Sequence, residues 1–110
     1  MQLTVKERLI LANNLPTQGD FITLTLAEGL KKKLVFTEEE ITAAGLKTVE
    51  GSRLTWNPAT PDYDIPLGPK TVEMVKAHLK KLEEHNPPML TTDMLTLYEK
   101  FVGKMVVEDV

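Results

Sequence analysis

Phe36-Thr37-Glu38-Glu39-Glu40-Ile41 is the stretch that decides how this chain is built. Thr37 and Glu40 have the spacing of a capping box, in which each side chain bonds a free backbone N–H beside the other. Phe36 and Ile41 occupy the two positions of a hydrophobic staple. The segment therefore reads as a helix start, with the helix covering about Glu38 to Ala44 and Gly45 supplying its C-terminal stop. Consecutive helical positions point about 100° apart, so Glu38, Glu39 and Glu40 do not converge as metal ligands or as an acid–base pair. In a first helical turn they instead stabilise the dipole. The acidic surface they leave has the wrong sign for lying on phosphates.

Downstream of that helix, Lys47–Glu50 and Arg53–Trp56 flank Gly51-Ser52, a dipeptide suited to a hairpin turn. Asn57-Pro58-Ala59-Thr60-Pro61 is a loop. Tyr63, Ile65 and Leu67 alternate with Asp64 and Pro66 as a third short strand, and Pro66 places it at a sheet edge. Gly68-Pro69 opens the next helix, with Pro69 in its first turn. There Val72, Val75, Leu79 and Leu82 step by three and four. Asn86-Pro87-Pro88 ends it. Thr91 then caps a last helix, with Leu90 stapling to Leu95, and Met94, Leu97, Tyr98, Phe101 and Met105 share one face.

Upstream, Thr4 and Glu7 form a second capping-box pair for a helix from about Thr4 to Asn14, whose stripe is Val5, Leu9 and Ala12, widened by Ile10. Asn13 to Asp20 is a connector. Phe21 to Leu34 is ambiguous. Ile22, Leu24 and Leu26 alternate as in a strand, whereas Leu26, Leu30 and Leu34 step by four. A helix from Asp20 or Thr23 is the favoured reading, because Asp20 would cap it and Lys31, Lys32 and Lys33 would meet the negative end of its dipole.

The expected fold is α+β and mainly helical. Three N-terminal helices (1–46) lead into a small antiparallel hairpin or three-stranded sheet (47–67), followed by a C-terminal helix pair (68–105) and a tail (106–110). All of it forms one domain, since 110 residues suit a single core burying about 65% of the unfolded surface. The order helix, helix, helix, hairpin resembles a winged helix-turn-helix in element order only.

Composition excludes more than it identifies. The net charge of −3 gives no attraction for nucleic acid or anionic membranes. With no cysteine, thiolate metal sites, disulfides and cysteine nucleophiles are absent, which fits a cytoplasmic protein. The N-terminal residues are no secretory signal, and no apolar run approaches the ~20 residues of a membrane span. His78 and His85 lie seven apart, separated by about 10 Å of helix rise, too far for one ion. Ser52 lacks a GxSxG setting, and neither a phosphate-binding loop nor GxGxxG occurs. Asp62 and Asp64 could flank a metal, but solvated loop acids are the favoured reading. No cofactor or metal is expected.

Trp56, the single tryptophan, ends a hairpin strand, and Tyr63 is expected across from it. Exposed, the pair would anchor a partner; buried, it would close the sheet over the helices, and burial is the favoured reading. The Val72, Val75, Leu79 and Leu82 stripe is a candidate dimer seam, although packing against the last helix is the default. Met105, Val106, Val107 and Val110 could add a further contact.

Several segments together resemble a set of small uncharacterised accessory proteins of phages and prophages. They are Leu3-Thr4-Val5-Lys6-Glu7-Arg8-Leu9, Leu15-Pro16 with Gly19, Leu34-Val35-Phe36-Thr37-Glu38-Glu39-Glu40, Trp56-Asn57, Leu79-Lys80-Lys81-Leu82 and Leu97-Tyr98-Glu99-Lys100-Phe101. The tail Gly103–Val110 runs past the Tyr-Glu-Lys-Phe ending of that group. The resemblance implies a viral accessory protein in a bacterial cytoplasm and carries no activity or site residue with it. The leading expectation is a non-enzymatic protein that binds a protein partner, with a homodimer possible and Trp56, Tyr63, Glu38 and Glu39 as contact residues. A winged-helix DNA-binding regulator using the hairpin and Lys31, Lys32 and Lys33 is the alternative. A small metal- or nucleotide-dependent enzyme using Asp62, Asp64 or His78 is the weaker one.

Overall fold

Two Thr-x-x-Glu sequences start two of the helices, and both close as complete capping boxes in the computed structural model, which describes residues 1–103. Thr4 opens α1 (Val5–Asn13) and Thr37 opens α3 (Glu38–Ala44). Between them lies α2 (Phe21–Leu34), so the ambiguous segment is helical. Asp20 caps it by accepting from the Thr23 N–H at 2.8 Å, and the three lysines fall in its last turn. The helical period wins there because it buries Ala27, Leu30 and Leu34 on one side.

α3 ends as its glycine requires. Gly45 has φ of 64°, the Gly45 N–H donates to the Thr42 carbonyl, and the Leu46 N–H donates to the Ile41 carbonyl. These two bonds make a Schellman stop. The hairpin follows as β2 (Lys47–Val49) and β3 (Arg53–Thr55). Val49 pairs with Arg53, so its loop is the three residues Glu50, Gly51 and Ser52, one longer than the expected dipeptide turn. Gly51 takes the left-handed position at φ of 69°.

The third strand departs from expectation. β4 (Tyr63–Asp64) does not join the hairpin; it pairs antiparallel with β1 (Gln2–Leu3), Leu3 opposite Tyr63 and Gln2 opposite Asp64. Two separate two-stranded sheets replace the possible three-stranded one, and Pro66 lies just beyond β4. Leu3 is completely buried, so this pairing lets the N-terminal strand seal the core from below α1. The winged-helix likeness is thus confined to element order.

α4 (Pro69–Glu84) begins with Pro69 at its first position and packs against α2 on one side and α5 (Leu95–Phe101) on the other. Thr91 opens a 3₁₀ turn, Thr92–Met94, that leads into α5, rather than capping α5 itself. Leu95 is exposed, whereas Met94, Leu97 and Phe101 are buried as expected. The core combines Leu3, Leu11, Leu30, Leu34, Val75 and Leu79 with that α5 face. On α1 the buried set is Val5, Glu7, Arg8 and Leu11, while Leu9, Ile10 and Ala12 are only half-buried. The buried face of α1 is therefore turned away from the expected Val5–Leu9–Ala12 stripe and includes two charged side chains.

Candidate functional site

Arg8 explains how α3 and its hairpin are held. Its Nε–H donates to the Leu34 carbonyl at 3.0 Å and its Nη2–H to the Val35 carbonyl at 2.9 Å. The remaining bonds form a fork on Glu40, at 2.8 and 3.1 Å. The guanidinium also lies 4.0 Å from the Phe36 ring centroid and 4.9 Å from that of Tyr63. Phe36 and Tyr63 meet edge to face at 5.8 Å. The ring of Phe36 is thus engaged with Arg8 and Tyr63, while its expected staple partner Ile41 is 38% exposed. Arg8 hydrogen bonding, the largest cause, brings the Glu40 carboxyl down to about 2 against its burial.

Because Glu40 turns toward Arg8, Glu38 and Glu39 are the two glutamates of α3 left exposed. They line a shallow open recess with Thr42 and Ala43. Leu54, on the hairpin, is 40% exposed. The Asn57 N–H donates to the Ala44 carbonyl at 2.8 Å, which ties the end of the hairpin back to α3. α3 and β2–β3 therefore form an arm whose acidic turn is free for contact. Trp56 is half-buried at the arm's end. Tyr63 does not lie across from it, since the two residues follow different sheets and Tyr63 faces Arg8 and Phe36.

The other sequence candidates are dispersed. Lys31, Lys32 and Lys33 are exposed at the end of α2, and the Lys33 ammonium donates to the Pro66 carbonyl at 2.9 Å. Asp64 accepts from the Met1 amino group at 3.2 Å, and Asp62 is exposed. The Ser52 side chain and Met105, Val106, Val107 and Val110 lie outside the described residues. His78 and His85 line one cleft of about 320 Å³ with Asp20 and Lys81. Burial holds the His78 imidazole below its ordinary range, only partly offset by the Asn14 backbone, and the His85 Nδ1 is bonded to the Pro87 carbonyl. Among the described residues no group of three or more His, Asp or Glu side chains is placed to hold a metal ion. Val75 and Leu79 are buried in the chain's own core, with Val72 and Leu82 packed against it, so the α4 stripe is occupied from within.

One surface has no counterpart among the sequence candidates. An apolar groove between α2 and α4 is lined by Ile22, Leu26, Pro69, Met74 and Ala77, with Lys70 and Glu73 beside them. Phe21 is 84% and Ile22 67% exposed at the start of α2. The available signal was a capping Asp20 followed at once by two large apolar residues, whose first-turn positions face away from the Ala27–Leu30–Leu34 side.

No protein-family model, curated protein or solved structure matches the chain.

Proposed function

We propose that the chain is a non-enzymatic interaction protein whose α3–hairpin arm binds a protein partner through Glu38, Glu39 and the neighbouring exposed apolar side chains. The observation that carries this reading is the division of labour among three successive glutamates. Glu40 is spent on Arg8, which fixes the arm, and Glu38 and Glu39 are left on its outer turn. A rigidly held acidic helix turn beside apolar side chains suits a basic, partly apolar protein surface, since complementary charge speeds encounter and discriminates among partners. The same sign opposes docking of α3 on duplex DNA, where phosphate contacts supply most of the affinity. Trp56, half-buried where the arm meets the body, is the aromatic anchor of this reading. The resemblance to phage accessory proteins directs the search for the partner to the bacterial cytoplasm.

The test is capture from bacterial extract by the wild-type chain and by the Glu38→Lys/Glu39→Lys variant. A partner retained by the first and lost by the second, with equal melting curves, supports the arm as the contact. Duplex DNA binding near physiological salt that disappears when Lys31, Lys32 and Lys33 are neutralised would overturn the reading in favour of a DNA-binding regulator.

A further inference from the structure

Residues 37–62, comprising α3, the hairpin and its return loop, stand outside the core. No apolar side chain between Leu34 and Tyr63 belongs to the core or packs against it. The arm closes on itself instead. Ala44 is completely buried without joining that core, and the Asn57 N–H bonds the Ala44 carbonyl where the hairpin returns. Among the described residues, every hydrogen bond and ion pair that crosses from 37–62 to the rest of the chain joins Glu40 to Arg8.

The two ends of the arm are neighbours. The chain enters at Phe36 and leaves at Tyr63, and those rings meet edge to face at 5.8 Å. Val35, just before the entry, is extended and 66% exposed, and Pro61 and Asp62, just before the exit, are exposed as well. Two adjacent, exposed joints make a hinge, because small dihedral changes at both turn the whole arm without unfolding either part. Arg8 sits across that hinge. It bonds the Leu34 and Val35 carbonyls on the body side and Glu40 on the arm side. We infer that the α3–hairpin arm swings as one unit about the Phe36–Tyr63 joint, with the Arg8–Glu40 fork as its latch. An element with so little apolar contact to the body opens at a free energy below that of global unfolding. Opening carries Glu38 and Glu39 away from the body and uncovers Arg8. The swing is a property of the fold; its use in controlling contact with a partner rests on the function proposed above.

Spin-label distances on the full chain test the latch, since the sequence has no cysteine and takes labels only where they are placed. One pair, Thr48→Cys with Lys80→Cys, spans arm and body, and a second, Thr42→Cys with Arg53→Cys, lies within the arm; all four positions are exposed. Glu40→Gln is expected to raise the open-to-closed ratio by about a hundredfold, as a buried charge loses its counter-ion. The first distance then broadens toward longer values in most molecules, and the second stays as in the wild type. Glutamine keeps the α3 cap, so the broadening reports the latch and not the helix start. The wild-type chain provides a reading without any change at Glu40. Urea below the unfolding transition is expected to lengthen the arm–body distance before a pair within the body, Lys32→Cys with Lys80→Cys, changes. An unchanged arm–body distance in Glu40→Gln, a within-arm distance that broadens with it, or arm and body distances that change together in urea would each overturn the inference. No partner enters these measurements, so their failure leaves the capture experiment untouched, and a failed capture leaves the hinge standing.

Discussion

Arg8 carries a full charge with 2% of its surface exposed. Such a charge is tolerated only where its donors are met and its counter-ion is close. Four hydrogen bonds and two aromatic faces meet that condition. Glu40→Gln keeps the shape and removes the counter-charge, and it is expected to cost about 3 kcal/mol, the low end of the range for breaking a buried pair, because the amide oxygen still accepts one bond. Glu39→Gln, on the exposed turn, is expected to change stability by less than about 0.5 kcal/mol. Urea unfolding of the two variants measures the contrast, and equal costs would remove Arg8–Glu40 as the arm's anchor. The same pair sets an acid limit. Glu40 titrates at about 2 in the folded chain against an ordinary 4.5, so the unfolded chain binds that proton more readily. Its stabilisation is complete above about pH 4.5 and is lost as the pH falls toward 2. Glu40→Gln should flatten that part of the stability curve.

Both capping boxes do more than start a helix. The Glu40 carboxylate that accepts from the Thr37 N–H at 2.9 Å also grips Arg8, and the Glu7 carboxylate that accepts from the Thr4 N–H at 3.0 Å also grips Lys100. Local signals made the first half of each role legible: caps, stops and apolar steps placed α1 to α4 close to their observed limits, while α5 begins three residues later than its expected Thr91 cap implied. The second half was not legible, because Arg8 and Glu7 occupy positions in α1 where alternating charge usually marks a solvated face. The β1–β4 pairing escaped for a similar reason. Two residues at the N-terminus give no period to read, and their partner lies sixty residues further on, so loop closure and not local propensity decides it. The Phe21–Ile22 surface was hidden inside a strand-like alternation that the helix resolves. At this scale, Thr37→Ala should cost about 1 kcal/mol through the lost cap. Gly45→Ala should cost about 1–2 kcal/mol from its left-handed backbone alone, since a Cβ there meets no atom within 4 Å. If thermal melts showed Gly45→Ala to be neutral, the Schellman stop would not be what ends α3.

Across the whole molecule, one lysine joins the two ends of the described chain. The Lys100 ammonium bonds the Gln2 carbonyl at 2.7 Å and Glu7 Oε1 at 2.6 Å, so α5 is locked onto β1 and α1. Burial by itself would raise the Glu7 carboxyl; Lys100, the Thr4 N–H and Thr96 outweigh it and hold the group below its ordinary 4.5. Lys100→Met keeps the side-chain stem and deletes the charge. It leaves a carboxylate with 4% of its side chain exposed and no counter-ion, at an expected cost of about 3 kcal/mol. Adding Glu7→Gln removes the stranded charge while preserving the cap, because glutamine serves equally at that position. The double variant should therefore be more stable than Lys100→Met alone, with a coupling on the order of 2 kcal/mol in the double-mutant cycle. Acid distinguishes this from a simple packing loss. Losing the Lys100 hydrogen bond and charge moves the Glu7 carboxyl up from its depressed position, so Lys100→Met takes up that proton at higher pH than the wild type and its deficit falls as the pH drops. Urea unfolding at about pH 7 and about pH 4 should show the Lys100→Met deficit shrinking on acidification, in a protein whose wild-type form weakens over the same interval. A deficit of the same size at both would mean that the lysine stem, and not the pairing of Glu7, holds α5 to the N-terminal strand.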